Sequence, residues 1–133
     1  MISVDSSVWI ELLRATGSKH DLLLRSLIEE DAPLAISEIV LAEVLAGVPS
    51  EREVKRVREV LLAFPSLELC SPQDFLLAAS LHRRARRTGQ TVRGIVDCLI
   101  AAPCVRRGIP LLHADADFDR LAACTPLQVF PHS

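Results

Sequence analysis

The chain has 133 residues, of which 50% are hydrophobic, 24% charged and 4% aromatic, and its formal net charge at pH 7 is −2. This length suits one domain with a buried core, so we expect residues 1–133 to form a single domain. No apolar run approaches the roughly 18 residues of a membrane span, no signal peptide is evident, and the few aromatic residues do not suit a base-stacking platform. We therefore expect a cytoplasmic protein with no membrane partner.

The small net charge hides an uneven distribution of charged residues. Residues 82–93 carry five arginines and no acid, whereas residues 29–53 carry seven acids against a single arginine, Arg52. The four cysteines are scattered without a CxxC pair, which predicts reduced, packed thiols rather than a zinc site. The charged residues themselves form separate basic and acidic segments of the chain.

Short apolar runs alternate with segments of helical periodicity along the whole chain. The predicted strands cover residues 2–4, 34–36, 67–69, 109–112 and 127–130, and predicted helices fill the intervals, beginning near residues 8, 19, 38, 50, 71, 94 and 115. Such alternation predicts an α/β fold with a short-stranded, mainly parallel central sheet between two helical layers.

One stretch, residues 94–105, is apolar on every side of a helical turn and contains Asp97 as its only charged residue. A helix without a polar face is buried on most sides, so Asp97 lies inside the protein or at a cleft. A buried carboxylate needs a cation, a proton or a metal ion. Pro103 falls inside the same helix and predicts a kink or an early stop.

Three other acids, Asp5, Glu43 and Asp115, also interrupt apolar segments. Asp5 and Asp115 follow predicted strands, and ligands of parallel sheets bind beyond the carboxyl ends of the strands. Glu43 and Asp97 would be the inward-facing acids of two helices that flank the same crevice. The four acids together indicate one site.

Each of these residues also has a purely structural interpretation. Asp5 could act only as a helix N-cap, Glu43 as a solvated helix charge, and Asp115 as a partner of a helix dipole. His113 is interpreted as a strand-end hydrogen-bonding side chain. The arginine run could be a solvated helix face. Asp97 is the hardest to explain structurally.

A cluster of four carboxylates requires an occupant of opposite charge. Two carboxylates about 4 Å apart repel by roughly 4 kcal/mol at an effective dielectric constant near 20. All-oxygen ligands favour Mg²⁺ or Mn²⁺, and such an ion can activate water for attack on a phosphodiester. The candidate residues for holding a nucleic-acid backbone are Arg83, Arg84, Arg86, Arg87 and Arg93.

The order and spacing of four segments match a known family. These segments are residues 4–10 (VDSSVWI), 43–47 (EVLAG), 91–101 (TVRGIVDCLIA) and 113–118 (HADADF). With them, essentially the whole chain resembles the PIN-domain ribonuclease toxins of bacterial VapBC toxin–antitoxin modules. The resemblance implies a PIN-like three-layer α/β/α domain and a metal-dependent endoribonuclease that hydrolyses RNA by metal-activated water.

The resemblance also implies roles for particular residues and partners. The catalytic acids that bind Mg²⁺ or Mn²⁺ would be Asp5, Glu43, Asp97 and Asp115, with Asp117 as an extra or outer-sphere ligand, Ser6 steadying the carboxylates, and Thr91 and Arg93 at the mouth of the pocket. The implied partners are the RNA substrate, a cognate VapB-type antitoxin and a second copy of the chain in a homodimer that assembles further with the antitoxin.

Two alternatives remain open at this point. The first is a receiver-like Mg²⁺-binding signalling domain, which needs adjacent acids after the first strand and a late lysine. Here Asp5 is followed by Ser6, and the lysines are Lys19 and Lys55. The second is a catalytically silent PIN-like interaction module, which would be expected to have lost at least one of the acids.

Overall fold

A computed structural model describes residues 1–131 of the protein, and within them four strands form one parallel sheet in the order β3-β2-β1-β4. The register pairs Ile2 with Leu34 and Ser3 with Leu111. The strands are β1 (Ile2–Val4), β2 (Leu34–Ser37), β3 (Ser66–Leu67) and β4 (Leu111–Leu112). β1 therefore lies inside the sheet, with all three of its residues buried.

Seven helices connect these strands within the described part of the chain. They are α1 (Ser6–Leu13), α2 (Lys19–Glu29), α3 (Glu38–Ala46), α4 (Glu51–Leu62), α5 (Gln73–Arg87), α6 (Ile95–Arg107) and α7 (Ala116–Cys124). The helices pack mainly in two groups, α1 to α4 and α5 to α7, as a three-layer fold requires. The predicted α/β class with a parallel sheet is confirmed.

The core is contiguous and includes large, fully buried side chains from both helical groups. Trp9 of α1 packs edge-on against Phe64 with ring centroids 5.0 Å apart, and Phe118 of α7 is fully buried. Among the described residues, no helix has both the length and the apolar character needed to cross a membrane.

The early stop expected at Pro103 is wrong. Helix α6 continues through Pro103 to Arg107 and ends at Gly108, whose φ of +64° suits a glycine cap. An interior proline removes one helical hydrogen bond at a cost of about 3 kcal/mol or more. Pro103 is buried and α6 packs along α5, so we attribute the continuity of the helix to this packing. The other expectation, a kink at Pro103, stays a prediction.

Three strands are shorter than the sequence predicts, and at β3 the reason is that backbone N–H groups find side-chain partners. The Leu69 N–H donates to Glu38 Oε1 at 3.0 Å and the Cys70 N–H to Asp74 Oδ2 at 2.7 Å, which ends β3 at Leu67. At β4, Pro110 has no N–H to offer. Residues 127–130 make only a single parallel bridge, between Val129 and Leu111, rather than the predicted last strand.

Candidate metal centre

Carboxylates from three helical segments meet beyond the carboxyl ends of the two adjacent strands β1 and β4. Asp5 directly follows β1 and caps α1, and Asp115 follows β4 and caps α7. Asp97 lies in the first turn of α6, and its ligand oxygen is within 4.8 Å of those of Asp115 and Asp117. Three helix N-termini thus bring their partial positive charge to the acids.

Asp5 is held in place by Ser7, which the sequence reasoning did not single out. The carboxylate of Asp5, which is 3% exposed, accepts the Ser7 N–H at 3.0 Å and also the Ser7 hydroxyl. The same hydroxyl oxygen accepts the Ala114 N–H at 3.0 Å. Burial raises the pKa of Asp5, the bonds from Ser7 oppose this rise, and the charge of Asp115 adds to it. Ser7 therefore ties the end of β1 to the segment that carries Asp115.

Glu43, on α3, is exposed and lies outside the group of oxygens that converge within 4.8 Å, which belong to Asp97, Asp115 and Asp117. The Ser6 hydroxyl donates to Glu43 Oε1 at 3.0 Å, which places Ser6 beside a carboxylate as predicted. Partial burial raises the pKa of Glu43, the bond from Ser6 lowers it, and the charges of Asp5 and Asp115 raise it further. Glu43 thus belongs electrostatically to the same cluster.

Asp97 has the largest pKa shift of the site. Burial, followed by the negative charges of Asp115, Asp5 and Asp117, raises its pKa from 3.8 to about 7. The metal-free protein therefore keeps a proton on Asp97 at pH values where an ordinary aspartate is ionised. The cluster behaves as a set of like charges that a bound cation would stabilise.

Asp117 has a different environment, since both of its oxygens accept hydrogen bonds from arginines. Oδ2 accepts the Arg93 Nε–H at 3.3 Å and the Arg93 backbone N–H at 3.4 Å, and Oδ1 accepts from Arg120 Nη1. Burial raises the pKa of Asp117, but these bonds outweigh it and leave the pKa below 3.8. Asp117 is therefore an ionised, buried carboxylate that is already paired with two arginines. This pairing suits an outer-sphere position near the metal ion better than direct ligation of the ion.

A cleft of about 680 Å³ opens at the cluster, and its lining includes Thr91, Arg93, Asp115, Asp117 and Arg120. Arg93 is the one member of the predicted arginine set that lines this cleft. The other four lie exposed on the last turns of α5, and no ion pair among residues 1–131 involves them: they are Arg83, Arg84, Arg86 and Arg87.

His113 is a buried support of the site rather than one of its ligands. Its Nδ1 accepts the Asp115 N–H at 3.0 Å, and its Nε2 lies 3.1 Å from Asp119 Oδ1. A ring nitrogen that accepts a hydrogen bond carries no proton, so this geometry places the ring proton on Nε2, where it is directed at Asp119. This geometry matches the interpretation of His113 as a strand-end hydrogen-bonding side chain.

The donor set fits a hard divalent cation. Carboxylate oxygens are the ligands that Mg²⁺ and Mn²⁺ prefer, and the raised pKa values of Asp5, Glu43 and Asp97 mark negative charge that a cation would neutralise. The ligand oxygens of Asp97 and Asp115 are close enough to share an ion. The residues present therefore fit the metal that the sequence implies.

Comparisons with known proteins agree with this fold and site. The PIN domain family model matches residues 2–123. A VapC ribonuclease of Mycobacterium bovis and ribonuclease VapC11 of Mycobacterium tuberculosis are each 42% identical over 129 residues, covering 96% of both chains. The crystal structure of VapBC2 from Rickettsia felis, bound to a promoter DNA fragment, aligns with a TM-score of 0.77 at 18% identity over 98% of each chain, which supports the fold alone.

The chain belongs to the PIN-domain family and, within it, to the VapC ribonucleases. The resemblance read from the four sequence segments is thus confirmed, and the receiver-like alternative is set aside. Because the chain belongs to the VapC ribonucleases, it is an RNA-cleaving hydrolase. Asp5, Glu43, Asp97 and Asp115 are all present and adjoin one site, which also argues against a silent module.

Proposed function

We propose that this chain is the toxin of a type II toxin–antitoxin pair and an endoribonuclease that depends on Mg²⁺ or Mn²⁺. The observation that carries the proposal is the convergence of the Asp97, Asp115 and Asp117 oxygens within 4.8 Å of one another. Buried Asp5 adjoins them at the end of β1. We further propose that residues 1–133 form a single PIN domain and that the protein is cytoplasmic.

The acids would have two different roles at the metal ion. Asp5, Glu43, Asp97 and Asp115 would hold the ion, and Asp117 would act from the outer sphere. When bound, the ion would supply an activated water molecule for attack on the phosphodiester and positive charge beside the leaving oxygen. Ser6 orients Glu43 and Ser7 orients Asp5 through the hydrogen bonds described above.

The RNA backbone needs positive charge next to an acidic pocket that would otherwise repel it. Arg93 supplies this charge inside the cleft, where Thr91 adds a hydroxyl at the rim. The arginines at the end of α5 extend the basic surface beyond the cleft: Arg83, Arg84, Arg86 and Arg87.

RNA cleavage under metal control tests this proposal. The purified protein is expected to cleave structured RNA in Mg²⁺ or Mn²⁺, to stop in chelator and to resume when metal is restored. Asp97→Asn should fold but cleave far more slowly, whereas Asp31→Asn is a matched control at an exposed acid outside the site. Undiminished cleavage in excess chelator would contradict the metal-dependent mechanism.

We also propose a VapB-type antitoxin as the partner, and a homodimer that assembles further with it. The related R. felis structure is an assembly of VapBC2 with promoter DNA. A short protein encoded next to this chain should co-purify with it and suppress its cleavage of RNA. Light scattering should give twice the chain mass of 14.6 kDa for the toxin alone. A monomeric toxin would count against the homodimer. A neighbouring protein that does not co-purify with the chain would count against the antitoxin partner.

A further inference from the structure

Two arginines from different elements share one buried carboxylate at the edge of the cleft. Asp117 is 1% exposed, and its two oxygens accept hydrogen bonds from Arg93, which precedes α6, and from Arg120, which lies on α7. Neither arginine is a neighbour of the other in sequence. Asp117 therefore acts as an anchor that fixes the positions of both guanidinium groups.

Both guanidinium groups remain accessible from the cleft. The Arg93 side chain is 80% exposed and the Arg120 side chain 45%, and both residues line the cleft together with Asp115. A guanidinium has five N–H donors. The bonds to Asp117 use Nε of Arg93 and Nη1 of Arg120, and Nη2 of Arg93 lies 3.8 Å from Asp115 Oδ1. Each guanidinium therefore keeps N–H donors that the bonds to Asp117 do not use.

We propose that Arg120, paired with Arg93, binds a phosphate of the RNA in this cleft, and that Asp117 pre-orients both arginines for that contact. This inference rests on the proposed nuclease function and adds Arg120, which lies outside the arginine run, as a substrate-binding residue. Planar guanidinium groups match phosphate oxygens bidentately. A side chain that is already held by a buried carboxylate loses less conformational freedom when it binds.

The competing explanation is that Arg120 only compensates the buried charge of Asp117. The two explanations differ in what a double substitution does. If compensation is the whole role, Arg120→Gln combined with Asp117→Asn removes both the charge and the need for it. Stability should then return to the parent value, and the double variant should bind RNA as tightly as Asp117→Asn alone, because Arg93 loses its anchor in both variants. If Arg120 contacts phosphate, stability should recover while the double variant binds RNA more weakly than Asp117→Asn alone.

The test is fluorescence anisotropy of a labelled single-stranded RNA titrated with protein at several salt concentrations, in chelator so that the RNA stays intact. Arg120→Gln should weaken binding about tenfold and lower the slope of log affinity against log salt by about 0.7. Arg120→Lys should keep the slope but bind more weakly than the parent, because an ammonium cannot bind bidentately. Asp117→Asn should keep the slope and lower the affinity.

Arg58→Gln is the matched control, since Arg58 is an exposed arginine of α4 that does not line the cleft. It removes the same charge and should leave affinity and slope close to the parent. Thermal melts of every variant report the structural role separately.

Three results would overturn the inference. These are an Arg120→Gln variant with the parent's affinity and slope, a double variant that binds RNA as tightly as Asp117→Asn alone, and an Arg58 control that falls as far as Arg120→Gln. If the parent cleaves RNA with metal, these results leave the nuclease function intact. A parent with no metal-dependent cleavage refutes the proposed function instead, independently of the binding data.

Discussion

Ser7 shows how much of the site depends on a single hydroxyl. It donates to buried Asp5 and accepts the N–H of Ala114, which is 107 residues away in the chain. It therefore fixes the distance between the two strand ends that carry Asp5 and Asp115. An anionic acceptor makes the bond to Asp5 stronger than a neutral one would be.

Ser7→Ala should lower the free energy of unfolding by about 2 kcal/mol, because a buried carboxylate loses a donor. Urea unfolding monitored by circular dichroism measures this change. Metal-dependent cleavage should fall as well, since Asp5 loses its orientation. Ser80→Ala, at an exposed serine of α5, is the control and should change stability by less than about 0.5 kcal/mol. Equal urea midpoints for Ser7→Ala and the parent would show that the hydroxyl does not hold Asp5.

At the scale of elements, the helix starts were predictable because their signals are local. Asp5 accepts the N–H of Ser7, as the N-cap role open to it in the sequence requires, and Ser37 caps α3 in the same way by accepting the N–H groups of Ile39 and Val40. The continuity of α6 through Pro103 was not predictable, since it depends on packing against another helix.

The site follows the same rule: its locally encoded residues were predictable, and its long-range contacts were not. An acid that interrupts an apolar segment is visible in the sequence, so Asp5, Asp97 and Asp115 could be identified. The link from Ser7 to Ala114 and the approach of Arg93 to Asp117 join residues far apart in the chain, so no local pattern encodes them. The Arg120–Asp117 pair is an i,i+3 pair within α7, and its helical spacing is the signal that could have identified it.

The end of α5 carries the remaining prediction at this scale. Its four exposed arginines are Arg83, Arg84, Arg86 and Arg87. If they bind phosphates, replacing all four with glutamine should lower the slope of log RNA affinity against log salt by about 0.7 for each phosphate that is no longer bound. Filter binding of single-stranded RNA in chelator measures the slope. An unchanged affinity and slope would make these residues a solvated helix face.

At the scale of the whole molecule, the acid cluster makes the stability of the metal-free protein depend on pH. The pKa of Asp97 is raised to about 7, so between about pH 4 and pH 7 the folded state holds a proton that the unfolded state has released. Stability should therefore fall as pH rises through this window and level off above it. The lowered pKa of Asp117 acts only below about pH 4 and does not cancel this trend.

Thermal melts of the metal-free parent from about pH 5 to about pH 8 measure this dependence. The melting temperature should decline towards pH 7, and the decline should be smaller for Asp97→Asn, which has no proton to lose at that position. Excess Mn²⁺ should reduce the decline, because the ion replaces the proton. A melting temperature of the metal-free parent that rises over this range would contradict the assignment of Asp97.

The central claim is that Asp97 belongs to a metal site that is strained by like charges when the metal is absent. Asp97→Asn keeps the shape of the side chain and removes one charge. A structural carboxylate, hydrogen-bonded as an anion in the core, would instead cost about 1–3 kcal/mol when replaced. Asp31→Asn serves as the control, because Asp31 is exposed and its φ of +56° is one that asparagine tolerates.

The deciding measurement is the thermal melt of the parent and of Asp97→Asn, each in chelator and in excess Mn²⁺. In chelator the variant should be at least as stable as the parent. In Mn²⁺ at roughly 100 times the parent's Kd, the parent should gain about 2.7 kcal/mol and the variant much less. A variant that is clearly less stable in chelator, yet gains as much from Mn²⁺ as the parent, would contradict the metal site.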